Sequence, residues 1–133
     1  MSYIKEFKIK TDEEGAYDIT KLVSSAIEES GVLEGVAIVF CPHTTASITI
    51  TENADPNVTA DMLLGIKKAF PDRPEYKHFE GNSFAHIKSS VVGVNLQLIV
   101  TGGWPLLGPF QAIYFLEFDG PRERRFIIKV FEC

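Results

Sequence analysis

The chain has three histidines, and all of them fall between positions 43 and 86. Each stands in polar, small-residue company: Cys41-Pro42-His43-Thr44-Thr45-Ala46-Ser47, Tyr76-Lys77-His78-Phe79-Glu80-Gly81-Asn82, and Ser83-Phe84-Ala85-His86-Ile87-Lys88. Imidazole is the commonest metal ligand and the side chain best suited to proton transfer near neutral pH. Three neutral imidazoles can hold a transition metal, zinc above all, and leave a fourth position for water or substrate. His78 and His86 do not have the i,i+4 spacing of a helical zinc motif, so any convergence falls to the fold. The residues alone leave two readings open: ligands of one metal, or separate histidines making ordinary hydrogen bonds.

Other polar groups gather in the same region. Glu52, in Glu52-Asn53-Ala54-Asp55, is placed to act as a general base or to orient a metal-bound water. Asp55 precedes Pro56, so it also serves as a helix cap. Glu80, beside His78, could orient that ring or simply be an exposed loop carboxylate. Thr44, Thr45, Ser47, Ser89 and Ser90 supply hydroxyls, while Asn82 and Ser83 at a helix start could hold an anion, with Lys88 adding charge. Each of these also has a local explanation in capping or turn formation. Cys41 ends an apolar run, which suits packing and not nucleophilic work. No nucleophile elbow, P-loop or dinucleotide fingerprint occurs.

The elements that must position these groups follow from periodicity. Tyr3 to Lys10 alternates as an amphipathic strand of edge character. After the Glu13-Glu14-Gly15 turn, Asp18 is placed to cap a helix whose stripe is Ile19, Leu22, Val23, Ala26 and Ile27, with Gly31 closing it. Gly35 to Cys41 reads as a strand buried on both faces. From Ala46 to Thr51 an apolar face, Ala46, Ile48 and Ile50, alternates with a hydroxyl face. Asp55-Pro56 starts a second helix with stripe Val58, Met62, Ile66, Ala69 and Phe70, stopped by Pro71. An aperiodic loop carries His78, and Ser83 is placed to cap a third helix running to Val92.

Strands follow at Val94–Val100, Gln111–Phe118 and Arg125–Phe131, with Asp119-Gly120-Pro121 as a turn. The expected architecture is a single α+β domain over 1–133, with a largely antiparallel or mixed sheet of about seven strands and about three helices.

Composition narrows the function classes. The 133 residues are 45% hydrophobic and 23% charged, ordinary values for a globular domain. A net charge of −5 argues against general nucleic-acid binding, which needs a positive surface to displace counterions. The basic cluster Arg122-Glu123-Arg124-Arg125 reads as a solvated hairpin turn, although an arginine there could hold a small phosphate. Two cysteines, Cys41 and Cys133, are too few for a disulfide framework. The start Met1-Ser2-Tyr3-Ile4-Lys5-Glu6 is not a signal peptide, and no apolar run approaches membrane-spanning length. A cytoplasmic protein without a membrane partner is expected.

Taken together, several blocks resemble the YjbQ-like family, also called secondary thiamine-phosphate synthases. They are Pro42-His43-Thr44-Thr45-Ala46, Glu52-Asn53-Ala54-Asp55-Pro56, His78 with Glu80-Gly81-Asn82-Ser83, Ala85-His86-Ile87-Lys88, and Gln111 through Phe118-Asp119-Gly120-Pro121-Arg122. They occur in the family's order across the last two-thirds of the chain. The resemblance implies a homotrimer with sites near subunit boundaries. It implies metal-ligand roles for His43, His78 and His86, and polar or catalytic roles for Thr44, Glu52, Asp55, Asn82 and Gln111. The implied reaction joins a thiazole phosphate to an aminopyrimidine diphosphate and releases diphosphate.

The chain departs from the family pattern at Gly108-Pro109-Phe110-Gln111, where Gly-Thr-Trp-Gln is usual. It also departs at Phe84, where an acidic residue is usual, and at Trp104-Pro105. Three imidazoles favour zinc, whereas a diphosphate substrate is normally served by magnesium. The same ligands would also serve a metal-assisted hydrolase, and a non-catalytic trimer binding a phosphorylated metabolite is the remaining class.

Overall fold

The computed structural model describes residues 2–133, so Met1 of the expected domain lies outside the described residues. β1 (Ser2–Lys10) pairs antiparallel with β8 (Glu123–Glu132), which pairs with β3 (Gly35–Phe40). β5 (Asn95–Thr101) and the two-residue β6 (Trp104–Pro105) complete a five-stranded sheet in the order β1-β8-β3-β5-β6. A second sheet has β7 (Gln111–Glu117) between β2 (Gly15–Asp18) and β4 (Ala46–Glu52). Every strand pairing among the described residues is antiparallel. The helices are α1 (Thr20–Ser30), α2 (Pro56–Ala69) and α3 (Ser83–Val92). The single α+β domain of largely antiparallel sheet is therefore as the sequence implies, with the short strands β2 and β6 as additions.

Two apolar layers hold these elements. In the main core, Phe126, Ile128, Val130, Ala37 and Val39 of the large sheet face Val23, Ala26 and Ile27 of α1. Ile48, Ile113 and Phe115 of the small sheet join the same core. The opposite face of the small sheet, through Ala112, Tyr114 and Leu116, packs on Ala85 of α3 and on Met62, Leu63 and Ile66 of α2. β7 is thus the strand buried on both faces.

β3 is not, contrary to its apolar sequence. Ala37 and Val39 are fully buried, but Val36 and Ile38 are half-buried and Phe40 is 39% exposed. No helix among the described residues covers that side. Ile99 on β5 and Ile4 on β1 extend the same exposed apolar face, at 60% and 64% exposure.

The helix boundaries follow local chemistry. Gly31 takes φ 73° at the end of α1, a left-handed cap that glycine adopts without strain. Asp18 does not occupy the cap position, which falls to Ile19; its carboxylate instead accepts from the N–H and hydroxyl of Thr20. Asp55 caps α2 by accepting from the Asn57 N–H at 2.9 Å, with Pro56 behind it. Asn82, and not Ser83, stands at the start of α3, and its side chain forms no cap hydrogen bond. Gly120 is pressed against the backbone after β1: a Cβ there would sit 1.8 Å from the Asp12 carbonyl oxygen.

One polar cluster lies inside this apolar frame. Glu117 at the end of β7 is fully buried, and Arg124 on β8 is 5% exposed. Arg124 donates from Nε at 2.7 Å and from Nη2 at 2.5 Å to the two Glu117 oxygens, and again from Nη2 to the Thr45 hydroxyl at 2.7 Å. Glu117 also accepts from the Thr11 hydroxyl at 2.6 Å and the Asp119 N–H at 3.0 Å. Burial raises the Glu117 pKa, but the Arg124, Thr11 and Asp119 hydrogen bonds outweigh it and hold the carboxyl below its ordinary value. Its stabilising contribution is therefore complete above the ordinary carboxylate range and is lost as pH falls through the lowered pKa.

Replacing Glu117 by Gln or Ala leaves the Arg124 charge buried without its partner. Such variants should lose about 3–5 kcal/mol of stability in urea titrations at neutral pH, and should lose part of the acid sensitivity seen in the parent. Unchanged denaturation midpoints would show that the pair is not the anchor described.

Candidate functional site

β3 ends at Phe40, Pro42 cannot donate a further ladder hydrogen bond, and the chain turns with His43 at its corner. His78 comes from the loop between α2 and α3, and His86 from the first turns of α3. The fold brings these three segments to the Arg124 end of the domain. There His43, His78, His86, Glu80, Asn82 and Arg122 wall a cleft of about 420 Å³. An adjoining apolar hollow of about 770 Å³ shares His43, Thr44 and His86 and extends over Phe40, Pro42 and Val94.

The His43 ring is fixed by its neighbour strand. Its Nε2 lies 3.0 Å from the Arg125 N–H nitrogen and 3.1 Å from the Arg125 carbonyl oxygen. If Nε2–H donates to the carbonyl, Nδ1 keeps its lone pair for a ligand; if Nε2 accepts from the N–H, Nδ1 carries the proton. Burial, and then the positive charge of Arg124, lower the His43 pKa, which favours the neutral ring that a metal requires. The His78 and His86 rings meet edge-on with centroids 5.3 Å apart.

The cleft also suits an anion. Arg122 is exposed, and its guanidinium is steadied by Asp119, with Nε 2.8 Å from the carbonyl and Nη2 3.1 Å from the carboxylate. Asn82 is buried; its amide nitrogen donates to Asp119 at 2.8 Å, while its Oδ1 has no hydrogen-bond partner among the described residues. A buried acceptor without a partner costs free energy, and this one is closed off from solvent behind the cleft wall.

The structure divides the sequence-predicted residues into separate groups. His43, His78, His86, Thr44 and Asn82 share the cleft. Thr45 also borders it; it is buried, and its hydroxyl accepts from Arg124, which gives it a structural role in the ion-pair cluster. Ser83 opens α3 without lining the cleft. Ser47 and Ser89 are used in stitching β4 to α3: the Ser47 hydroxyl donates to the Ser89 carbonyl, and the Ser89 hydroxyl to that of Ala46.

Lys88 points elsewhere, into a different cavity against Phe84 and Phe118. Glu52 and Gln111 are register partners at the far ends of β4 and β7. Asp55 is occupied at the α2 cap, and Gln111 Oε1 accepts from the Gly108 N–H at 2.8 Å. None of these last three reaches the histidine cleft of its own chain.

Arg124 is the residue that sequence reasoning misplaced. The basic run predicts a solvated turn, yet Arg124 is buried behind the cleft. The alternation Arg124, Phe126, Ile128, Val130 carries the signal, because extending the inward face of β8 by one step includes the arginine. Cys41 is buried as expected, and burial pushes its thiol up to about 11, which makes it a poor nucleophile.

Among the described residues, no group of three His, Cys, Asp or Glu side chains stands ready to hold a metal ion. The histidines share one cleft without closing a coordination sphere. Their donor chemistry nonetheless fits a zinc-type ion: three imidazoles, one held toward its neutral form and braced by a backbone group.

Comparison with known proteins gives a consistent result. Residues 5–133 match the family model described as UPF0047 protein YjbQ-like. The chain is 49% identical over 126 residues to a UPF0047 protein of Methanocaldococcus jannaschii, covering 94% of this chain and 91% of that one. It is 47% identical over 129 residues to the UPF0047 protein YugU of Bacillus subtilis, covering 96% and 98%. Among solved structures, an uncharacterized conserved protein of the YjbQ/UPF0047 family from Clostridium acetobutylicum superposes with a TM-score of 0.93. Its identity is 53%, with 96% of this chain and 99% of that chain covered.

The environment of His43 makes a direct prediction. In imidazole NMR titrations its ring should change protonation below the ordinary histidine value of about 6.5. A midpoint at or above that value would contradict its burial beside Arg124.

Proposed function

This chain belongs to the YjbQ-like UPF0047 family, and from that premise we propose a metal-dependent enzyme acting on a small phosphorylated metabolite. Its reaction would be of the thiamine-phosphate-synthase type. The observation that carries this reading is the gathering of His43, His78 and His86, from three separate segments, into one cleft bordered by arginine. The resemblance of the histidine blocks to those of secondary thiamine-phosphate synthases supplies the reaction type. In that reaction a thiazole nitrogen forms a bond to the methylene carbon of an aminopyrimidine diphosphate. The carbon–oxygen bond breaks, and diphosphate leaves with the electron pair.

The chain's own residues have defined tasks in this proposal. His43, His78 and His86 hold the metal, zinc by ligand preference, with magnesium entering only alongside the diphosphate. The metal, when bound, supplies Lewis-acid polarisation of the leaving group. Arg122 meets phosphate oxygens, because its exposed guanidinium is pre-oriented by Asp119. The adjoining apolar hollow over Phe40, Pro42 and Val94 receives the ring portion of a substrate.

A homotrimer is part of the same proposal. The exposed face of the large sheet, with Val36, Ile38, Phe40 and Ile99, supports burial against neighbouring copies. The catalytic roles expected of Glu52, Asp55 and Gln111 require such a neighbour, since within one chain they stand away from the cleft. One observation favours a second reading: the exposed carboxylate Glu80 borders the histidine cleft and could take a proton from water. That arrangement suits a metal-assisted hydrolase.

Elemental analysis of untagged protein should find about one zinc-type ion per chain, lost in a His43→Ala/His78→Ala variant. Diphosphate release from an aminopyrimidine diphosphate should then require the thiazole phosphate. Release in water alone would replace the synthase with the hydrolase, and tight binding without turnover would leave a binding protein. No metal uptake from zinc, manganese, cobalt or magnesium would sink the metal-dependent reading.

Sedimentation tests the assembly separately. The parent chain should run at three times its 14.8 kDa mass, and Ile38→Glu should run as a monomer. A monomeric parent would remove the trimer.

A further inference from the structure

α3 has two chemical faces. His86 looks into the histidine cleft, whereas Phe84 and Lys88, one helical turn apart, line a separate cavity of about 550 Å³. That cavity lies between the end of α2 and the turn after β7, and its lining shares no residue with the histidine cleft.

Lys88 is only 1% exposed, an unusual state for a lysine. Its ammonium stands 5.2 Å from the centre of the Phe84 ring and 5.7 Å from that of Phe118. Such contacts offset part of its desolvation. The nearest carboxylate oxygen, Glu14 Oε1, is 3.8 Å away, beyond hydrogen-bond length. Among the described residues the Lys88 ammonium makes this one long ion pair and no hydrogen bond, so its N–H groups stay available at the cavity wall. Buried donors are normally paired, and an exception calls for a ligand or an ordered water.

The surroundings narrow the ligand. Phe84, Phe118 and Phe70 provide an apolar surface. Glu13, Glu14 and Asp72 make the remaining rim acidic, with Lys67 beside them, while Asp119 is already paired with Asn82 and Arg122. A phosphate dianion would face three carboxylates, and a simple cation would face the buried Lys88. The separation of Lys88 from Glu14 lets one α-amino-acid head group meet both.

We propose that this cavity binds a small amino-carboxylate with an apolar side chain, independently of the histidine cleft. The ligand carboxylate takes the hydrogen bonds of Lys88, its ammonium meets Glu14, and its side chain packs on Phe84, Phe118 and Phe70.

The test is an amide NMR titration of the full chain with phenylalanine, 3-phenylpropionate, phenethylamine and inorganic phosphate. Phenylalanine should give saturable shifts at Phe84, Lys88, Phe118 and Asp119, with His43 and Thr44 unmoved. The two singly charged analogues should bind at least about tenfold more weakly. Lys88→Met keeps the apolar stem and should abolish binding. Glu14→Gln, at a part-exposed site, should weaken phenylalanine about tenfold while leaving 3-phenylpropionate unchanged. Absence of saturable shifts would leave Lys88 satisfied by water and end the proposal. Equal affinity in both variants, or preference for phosphate, would also overturn it.

Discussion

The ion pair between Arg124 and Glu117 is the constraint around which the functional end of this domain is built. It joins the large sheet to the small one at the point where four chain segments converge. Thr11 after β1, Thr45 before β4, Glu117 on β7 and Arg124 on β8 all share its hydrogen bonds. The apolar layers provide the bulk of the folding free energy, since each fully buried aliphatic or aromatic side chain contributes about 1.5–3 kcal/mol. A buried ion pair adds little beyond a well-packed apolar replacement. Its contribution is geometric: it sets how the strand ends meet, and the histidine cleft lies directly in front of it.

That placement has electrostatic consequences for the cleft. Arg124 spends its charge on Glu117, yet its residual field still disfavours protonation of His43. Arg122 stands just before β8, outside the strand; it stays exposed and is ion-paired with Asp119. The same short basic run thus holds one buried structural cation and one exposed cation at the cleft rim. Asp119 links the two roles, because it orients Arg122 and receives the Asn82 amide while its own N–H serves Glu117. Support and site form one hydrogen-bond network, so a change in the anchor reaches the cleft without touching a histidine.

α3 shows how one helix can serve two environments. Its alternate sides carry His86 and the Phe84–Lys88 pair, while Ser89 ties its base to β4. The helix is short and rests on the small sheet through Ala85. The polar groups around it therefore differ in purpose although they lie close in sequence. Asn82 and His86 face a basic, histidine-lined cleft; Lys88 faces an aromatic cavity with an acidic rim.

Much of the architecture was legible in the residue pattern. Period-two alternation identified β1 and β4, and the Asp55-Pro56 and Gly31 signals bounded their helices, because these depend on local sterics and hydrogen bonding. The histidine neighbourhoods also indicated where a site would form. Tertiary structure decided the rest. Only sheet pairing could show that β7, and not β3, is covered on both faces, since an apolar run does not state what packs against it. Only the register of β4 with β7 could separate Glu52 and Gln111 from His43, a strand's length away. Arg124 became an anchor and Lys88 a cavity wall because burial of a charge depends on partners supplied by distant segments, and no local pattern encodes those partners.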